Sequence, residues 1–168
     1  MKQTIHFFDF DSTIISSPEP ETGKVEYLTK TGNVYPHVGW WSKEASLDLD
    51  VFDIPLIQRV DTVFQKASKD PSCKTVLLTN RIRKMEDVVR KVLDHHNYKL
   101  DLYTFSAGAD NKGQRIVKIL NNHFPMATHA EFYDDDQQHL EDTKKAMQHH
   151  TVRIKLFLVT QGVITPYN

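Results

Sequence analysis

The segment FFDFDST, residues 7–13, places two aspartates at the end of an apolar run. Residues two apart in a strand point to the same side, so Asp9 and Asp11 can face one small volume where the strand ends. Two carboxylates this close repel each other unless a cation or a shared proton offsets their charge, and hard oxygen ligands favour Mg²⁺. One carboxylate can also attack a substrate while the other exchanges a proton. A solvated turn is the alternative for an isolated pair.

Three later segments carry groups that suit a phosphoryl substrate. Thr79 follows the apolar run TVLL, and three aspartates, 134–136, follow AEFY. Lys112 lies in GADNKGQRIVKIL, directly after Asp110 and Asn111, either of which can cap a helix. A phosphoryl group in transfer spreads negative charge over its oxygens, so it favours a hydroxyl, a cation and a metal fixed by carboxylates. Each of these residues alone fits an ordinary strand, helix or loop position, and only their order favours chemistry.

The elements that must position these residues alternate between strand and helix. Short runs of β-forming residues predict four strands, at 4–8, 74–78, 130–133 and 152–159. Apolar residues at helical spacing predict helices at 56–67, 85–93, 116–120 and 138–149. This alternation, without the strict polar–apolar pattern of half-exposed strands, predicts an α/β fold with a doubly wound, Rossmann-like, mostly parallel sheet and helices on both faces.

Residues 16–53 interrupt the alternation. The stretch is rich in proline and glycine and has no clean period, so we predict an irregular insertion in a single domain of residues 1–168, with a small cap or none. Both tryptophans of the chain, Trp40 and Trp41, lie near its end. At least one of them is expected to pack the insertion onto the core, and an exposed one could stack on a base.

Composition narrows the class of protein. In 168 residues, 21 Lys and Arg balance 22 Asp and Glu, so any basic binding site must be local. The single cysteine, Cys73, excludes an internal disulfide and a cysteine-based zinc cluster. No apolar signal segment or membrane span is evident in the sequence, so the expectation is a cytoplasmic protein without a membrane partner.

Together, these motifs resemble the haloacid dehalogenase (HAD) superfamily, whose first motif is an apolar strand followed by Asp-x-Asp-x-Thr/Val. Thr79, Lys112 and the aspartate cluster match its second, third and fourth motifs in order. The resemblance implies that Asp9 is a nucleophile, that Asp11 is an acid and then a base, and that Thr79 and Lys112 complete the catalytic set. It also implies Mg²⁺ bound by Asp9 and the backbone carbonyl of Asp11, together with the cluster. Asp135 is favoured there as the direct ligand with Asp134 beside it, although the three aspartates can be aligned in more than one way.

The segments GWWSKEASL, TVLLTNR and FYDDDQQH look similar to a branch of that superfamily, the Swiss-army-knife RNA repair-like proteins. Asn80, Asp134 and Asp136 depart from the residues usual in that branch, so a specific substrate does not carry over. Candidate substrate-binding residues are two hydroxyl groups of the first motif and three side chains after Thr79: Ser12, Thr13, Asn80, Arg81 and Arg83. His139 is a candidate neighbour of the metal ligands.

Two hypotheses follow. The first is a Mg²⁺-dependent phosphatase that hydrolyses a phosphate monoester, at the 3′ or 5′ end of a polynucleotide or on a nucleotide. The second is a non-catalytic HAD-like module that binds or regulates, since a fold does not guarantee chemistry. The intact set of Asp9, Asp11, Thr79 and Lys112 favours the enzyme.

Overall fold

A computed structural model of the protein describes residues 3–168. A six-stranded sheet lies at its centre. The strands are β1 (Gln3–Phe8), β2 (Cys73–Ile82), β3 (Leu102–Ser106), β4 (Ala127–Asp134), β5 (Arg153–Thr160) and β6 (Val163–Tyr167). They lie in the order β3-β2-β1-β4-β5-β6, and each pair is parallel except β5 with β6. The chain therefore winds outward in both directions from β1, which confirms the predicted α/β class and puts the ligand-binding edge at the carboxyl end of β1.

Helices cover both faces of this sheet. They are α1 (Pro20–Thr31), α2 (Gln58–Lys69), α3 (Glu86–His95), α4 (Lys112–His123) and α5 (Gln137–Met147), with 3₁₀ turns at Glu44–Leu47 and Arg83–Met85. None of the helices within residues 3–168 has the length and apolar character needed to cross a bilayer.

The core has two halves because successive side chains of a strand point to opposite faces. Ile5 and Phe7 of β1 belong to a cluster under α4 and α5, whereas Phe8 belongs to a cluster under α2 and α3. α4 lies so close to α5 that a Cβ added at Gly113 would be 2.6 Å from the backbone oxygen of Asp142. This close approach fixes the start of α4, where Lys112 lies.

The four-strand prediction was incomplete, since β3 and β6 were not predicted. Both lie at the edges of the sheet, where the apolar signal is weak, and no residue of either is fully buried. Pro166 lies within β6, and a proline in a sequence favours a loop over a strand.

The insertion at 16–53 is also less irregular than predicted, because it contains α1. Gly23 is the buried residue of this helix, while Val25 and Leu28 are exposed, so its sequence lacks the apolar stripe that reveals a packed helix.

Trp40 belongs to the core cluster that includes Phe8 and Phe64, as predicted, and it also joins segments of the insertion to one another. It is 3% exposed, and its indole N–H donates to the backbone oxygen of Pro18 over 2.9 Å. Gly23 packs directly on the indole, since a Cβ there would be 2.3 Å from the ring. α1 can approach Trp40 this closely only with glycine at that position.

Candidate active site

Two carboxylates meet at the carboxyl edge of the sheet because β1 and β4 are parallel neighbours. Phe8 pairs with Tyr133, and the backbone N–H of Asp9 continues this pairing by donating to the oxygen of Tyr133 over 3.0 Å. Asp9 and Asp134, the next residue on each strand, therefore lie side by side. Both are buried, at 6% and 0% exposed.

Lys112 places a buried ammonium group between these carboxylates. Its Nζ lies 2.6 Å from Oδ1 of Asp9 and 2.7 Å from Oδ2 of Asp134, and the residue is 1% exposed. Asn111 caps the helix start, accepting from the backbone N–H of Gln114, whose side chain accepts in return from the N–H of Asn111. This capping box confirms one of the two predicted caps. Asp9, Lys112 and Asp134 are called the floor triad below.

Burial and charge perturb the protonation of the floor triad. Burial raises the pKa of Asp9 to about 7, although the Lys112 ammonium acts in the opposite direction. Burial also opposes ionisation of Asp134, but Lys112 and His139 outweigh it and hold the pKa of Asp134 below its ordinary value. The neighbouring cations thus outweigh the cost of desolvation at Asp134, whereas Lys112 does not outweigh it at Asp9.

A third carboxylate, that of Asp135, completes a possible metal site. Desolvation and the neighbouring charge of Asp134 raise the pKa of Asp135 to about 6. Asp9, Asp134 and Asp135 each offer an oxygen atom, and these atoms all lie within 4.8 Å of one another. Such a set of hard oxygen donors fits Mg²⁺. Asp136 instead caps α5, since its Oδ1 accepts from the N–H of Gln138 over 2.7 Å.

Asp11 has a different partner, because both of its carboxylate oxygens accept from Arg81. The guanidinium donates through Nε and Nη2, each over 2.8 Å. Its Nη1 donates to the backbone oxygen of Trp41 over 2.9 Å and to the hydroxyl of Ser46 over 3.0 Å, both in the insertion. The side chain of Arg81 is 1% exposed. Arg81, Asp11, Trp41 and Ser46 are called the arginine clamp below.

Thr79, Asn80 and His139 line the cavity beside these groups and are held by hydrogen bonds. Thr79 Oγ1 accepts from the backbone N–H of Arg81 over 3.0 Å. His139 Nδ1 lies 3.0 Å from Asp134 Oδ1, and its Nε2 lies 3.0 Å from the amide nitrogen of Asn80. Nδ1 thus faces Asp134 and Nε2 faces Asn80. Burial opposes a charge on the ring, but the hydrogen bond to Asp134 raises the pKa of His139 above its ordinary value.

Arg115, which was not predicted as a site residue, holds Thr79 and Asn80 in place by hydrogen bonds. Its Nη1 donates to the backbone oxygen of Thr79 over 2.9 Å and to Oδ1 of Asn80 over 3.3 Å. The only sequence signal is its position three residues after Lys112, on the same side of α4. Glu19 is a further site residue that no motif singled out, and Ser46 lies in the quoted segment GWWSKEASL without having been assigned a role. Trp41, in the same segment, was considered from the sequence as a residue that could stack on a base.

These side chains surround a cavity of about 560 Å³. Most of the predicted site residues line it, namely Asp9, Asp11, Ser12, Thr79, Asn80, Arg81, Lys112 and Asp135. Ser12 has a φ of 55°, an uncommon conformation for a residue other than glycine and one that often accompanies functional turns.

Two predicted substrate-binding residues do not line the cavity. Thr13 is fully buried behind the turn. Arg83 has a side chain that is 85% exposed, with its Nε 3.9 Å from a carboxylate oxygen of Glu86. The structure therefore does not bring Thr13 or Arg83 together with the other candidates. The catalytic and binding roles of all these residues stay predictions.

Comparison with known proteins defines the fold. No protein-family model matches the chain. No curated protein matches it in sequence. Among solved structures, the HAD domain of the effector protein Lem4 from Legionella pneumophila is similar with a TM-score of 0.56 and 16% identity, over 96% of this chain and 88% of that one.

A chain of the Pnkp1/Rnl/Hen1 complex has a TM-score of 0.58 and 15% identity, over 94% of this chain but 45% of the matched one. A haloacid dehalogenase-like hydrolase from Streptococcus pneumoniae has a TM-score of 0.54 and 15% identity, over 91% of this chain and 83% of that one. The chain therefore has the haloacid dehalogenase fold, as the motifs indicate.

Proposed function

We propose that the protein is a divalent-metal-dependent phosphatase that hydrolyses a phosphate monoester through a phosphoaspartate on Asp9. The observation that carries this proposal is the floor triad, in which one buried ammonium lies within 2.7 Å of carboxylates from two neighbouring strands. A buried ion triad of this kind is weak evidence for stability, because desolvation of the charges is costly. Its place at the ligand-binding edge of an open α/β sheet favours a chemical role.

Charge supports the metal requirement. The cavity is lined by five carboxylates, Asp9, Asp11, Glu19, Asp135 and Asp136, against the cations Lys112 and Arg81. An anionic phosphate ester would be repelled unless further positive charge were present. Asp9, Asp134 and Asp135 would hold Mg²⁺, which would supply that charge to the phosphoryl oxygens.

In the first step, an oxygen of Asp9 attacks phosphorus, an O–P bond forms, and the ester P–O bond breaks. The leaving oxygen takes a proton from the protonated form of Asp11, which must give up one of its two hydrogen bonds from Arg81 to donate it. In the second step, water attacks the phosphoaspartate, Asp11 accepts the proton of that water, and inorganic phosphate leaves. The Asp11 side chain is 19% exposed, so it can be reached from the cavity while Arg81 orients it.

Lys112 and Thr79 would stabilise the transferring group. Lys112 provides a fixed positive charge beside Asp9, and Thr79 provides a hydroxyl within the second half of β2. Donors that are already in place before the reaction stabilise developing charge without reorganisation.

A nucleotide or a polynucleotide end is the proposed class of substrate. One structural neighbour is a chain from an RNA repair complex. The exposed side chains of Arg83 and Lys84 follow the cavity residue Ile82, where they can bind flanking phosphates.

Phosphate release from p-nitrophenyl phosphate tests the proposal. The wild-type protein is expected to release phosphate with Mg²⁺, to stop when EDTA removes it, and to lose activity in Asp9→Asn. Oligonucleotides phosphorylated at the 3′ or 5′ end, compared with mononucleotides, then define the substrate. Equal rates for wild type and Asp9→Asn would leave the non-catalytic binding module as the better reading.

A further inference from the structure

The cavity has a charged floor and a partly apolar opening. Its volume, about 560 Å³, lies within the range of about 300–1,000 Å³ that is typical of sites for whole small molecules. Trp41 and Ile82 line it, and both are large apolar residues with substantial exposure, at 38% and 42%. The cavity therefore has room for a leaving group and an apolar surface to contact it.

Trp41 is held in place although its ring is exposed. Trp40, its neighbour, is 3% exposed and packs in the core, so the insertion does not need Trp41 for burial. The backbone oxygen of Trp41 accepts from Arg81, and the guanidinium carbon lies 5.3 Å from the centre of the indole ring. An aromatic surface that is fixed before binding loses little entropy when a ligand stacks on it.

We propose that Trp41 stacks on the base of a nucleoside leaving group, so that the substrate is a nucleotide or a terminal nucleotide of a polynucleotide. This inference rests on the proposed phosphatase function and on its proposed substrate class, and it identifies the residue that would bind the base. Stacking between a base and an aromatic ring contributes to affinity for every base, because every base has a flat face.

The polar groups that line the cavity together with Trp41 favour a nucleoside over a simple phenyl ring. Glu19 and Ser42 belong to the insertion, like Trp41, and both line the cavity. A carboxylate and a hydroxyl can pair with ribose hydroxyls or with the amino group of a base, which a phenyl ring does not offer. An aliphatic leaving group such as glycerol would leave the exposed face of Trp41 without a partner.

Tryptophan fluorescence tests binding without requiring turnover. Adenosine 5′-monophosphate, added with Mg²⁺, is expected to quench the wild-type emission in a saturable manner. Trp41→Leu leaves Trp40 as the only tryptophan and is expected to lose that quenching. No saturable quenching in the wild type, or the same quenching in Trp41→Leu, would overturn the inference.

Kinetics supply the second measurement, the ratio of kcat/KM for adenosine 5′-monophosphate to that for glycerol phosphate. Trp41→Leu is expected to lower this ratio about tenfold to a hundredfold, and Trp41→Phe to restore most of it. Val38→Ala is the control, because Val38 is in the same insertion, is 97% exposed and does not line the cavity.

The possible failures are distinguishable. If the wild type hydrolyses neither of these esters nor p-nitrophenyl phosphate, the proposed function fails, and the fluorescence measurement still decides whether Trp41 binds a base. If it hydrolyses both and the ratio is the same in Trp41→Leu, the stacking role is wrong although the phosphatase stands. If phosphotyrosine is the better substrate and depends on Trp41, the nucleoside assignment is wrong.

Discussion

The residues at the floor of the cavity and the residue at its opening are positioned by different kinds of contact. Asp9 and Asp134 lie at the floor, and Trp41 lies at the opening. The two carboxylates follow paired strands, so backbone hydrogen bonds of the sheet set their separation. Trp41 belongs to the insertion, which is held by the packing of Trp40 in the core and by the hydrogen bonds of Arg81. A substitution that removes one charge from the floor should therefore leave the backbone there in place, because the sheet holds it. The position of the backbone at the opening depends instead on a few buried side chains.

The two regions also use their buried cations differently. Lys112 lies between two carboxylates that both belong to the sheet, whereas Arg81 joins Asp11 to the insertion. We therefore expect changes at the floor to affect the chemical step most, and changes at the arginine clamp to affect the alignment of Asp11.

The largest expected effect comes from replacing either aspartate of the first motif with asparagine. Asp9→Asn should lower kcat by about a thousandfold or more, because no oxygen remains to form the phosphoaspartate. Asp11→Asn should lower kcat by about a hundred- to ten-thousandfold, because a general acid–base is lost. Acid-quenched samples of Asp11→Asn should retain a phosphoenzyme that Asp9→Asn never forms.

Asp87→Asn is the control for this pair, since Asp87 is an exposed carboxylate on α3. Its activity should match the wild type. A phosphoenzyme in Asp9→Asn would contradict the assignment of the nucleophile.

Removal of the floor cation should have the next largest effect, on stability. Lys112→Met leaves Asp9 and Asp134 buried beside each other without their ammonium partner, and loss of one partner from a buried ion pair costs about 3–5 kcal/mol. Urea unfolding measures this loss. Lys118→Met on the same helix removes an exposed partner of Asp110 and should change the free energy of unfolding by about 1 kcal/mol or less. Similar losses in both variants would refute the distinction.

Stabilisation by Mg²⁺ should distinguish the roles of two neighbouring aspartates, Asp135 and Asp136. Mg²⁺ at about a hundred times its dissociation constant should stabilise the wild type by about 2.7 kcal/mol. Asp135→Asn should lose most of this gain, because Asp135 lies with Asp9 and Asp134, whereas Asp136→Asn should keep it. Thermal unfolding with Mg²⁺ and with EDTA gives the comparison. Loss of the gain in Asp136→Asn alone would move the metal ligand by one residue.

The sequence predicted the floor better than the opening, for a physical reason. Asp9 follows β1, Lys112 begins α4 and Asp134 ends β4, and the apolar patterns of these elements are visible locally. The partners of Arg81 are 35 to 70 residues away, so no local pattern reveals them. α1 lacks an apolar stripe, and β3 and β6 are edge strands, which explains why none of the three was predicted.

The smallest of these effects should come from the arginine clamp. Arg81→Lys keeps the charge but loses the two parallel hydrogen bonds to Asp11 and the contacts with Trp41 and Ser46. We expect kcat to fall about tenfold, with a stability loss of about 1–2 kcal/mol. Arg59→Lys, at an exposed position of α2 that does not line the cavity, should change neither. Because the clamp orients Asp11 but not Asp9, the rate of phosphoenzyme hydrolysis in rapid-quench experiments should fall with kcat. A decrease confined to KM would instead make Arg81 a substrate-binding residue, and the floor and the opening would then act on the substrate independently.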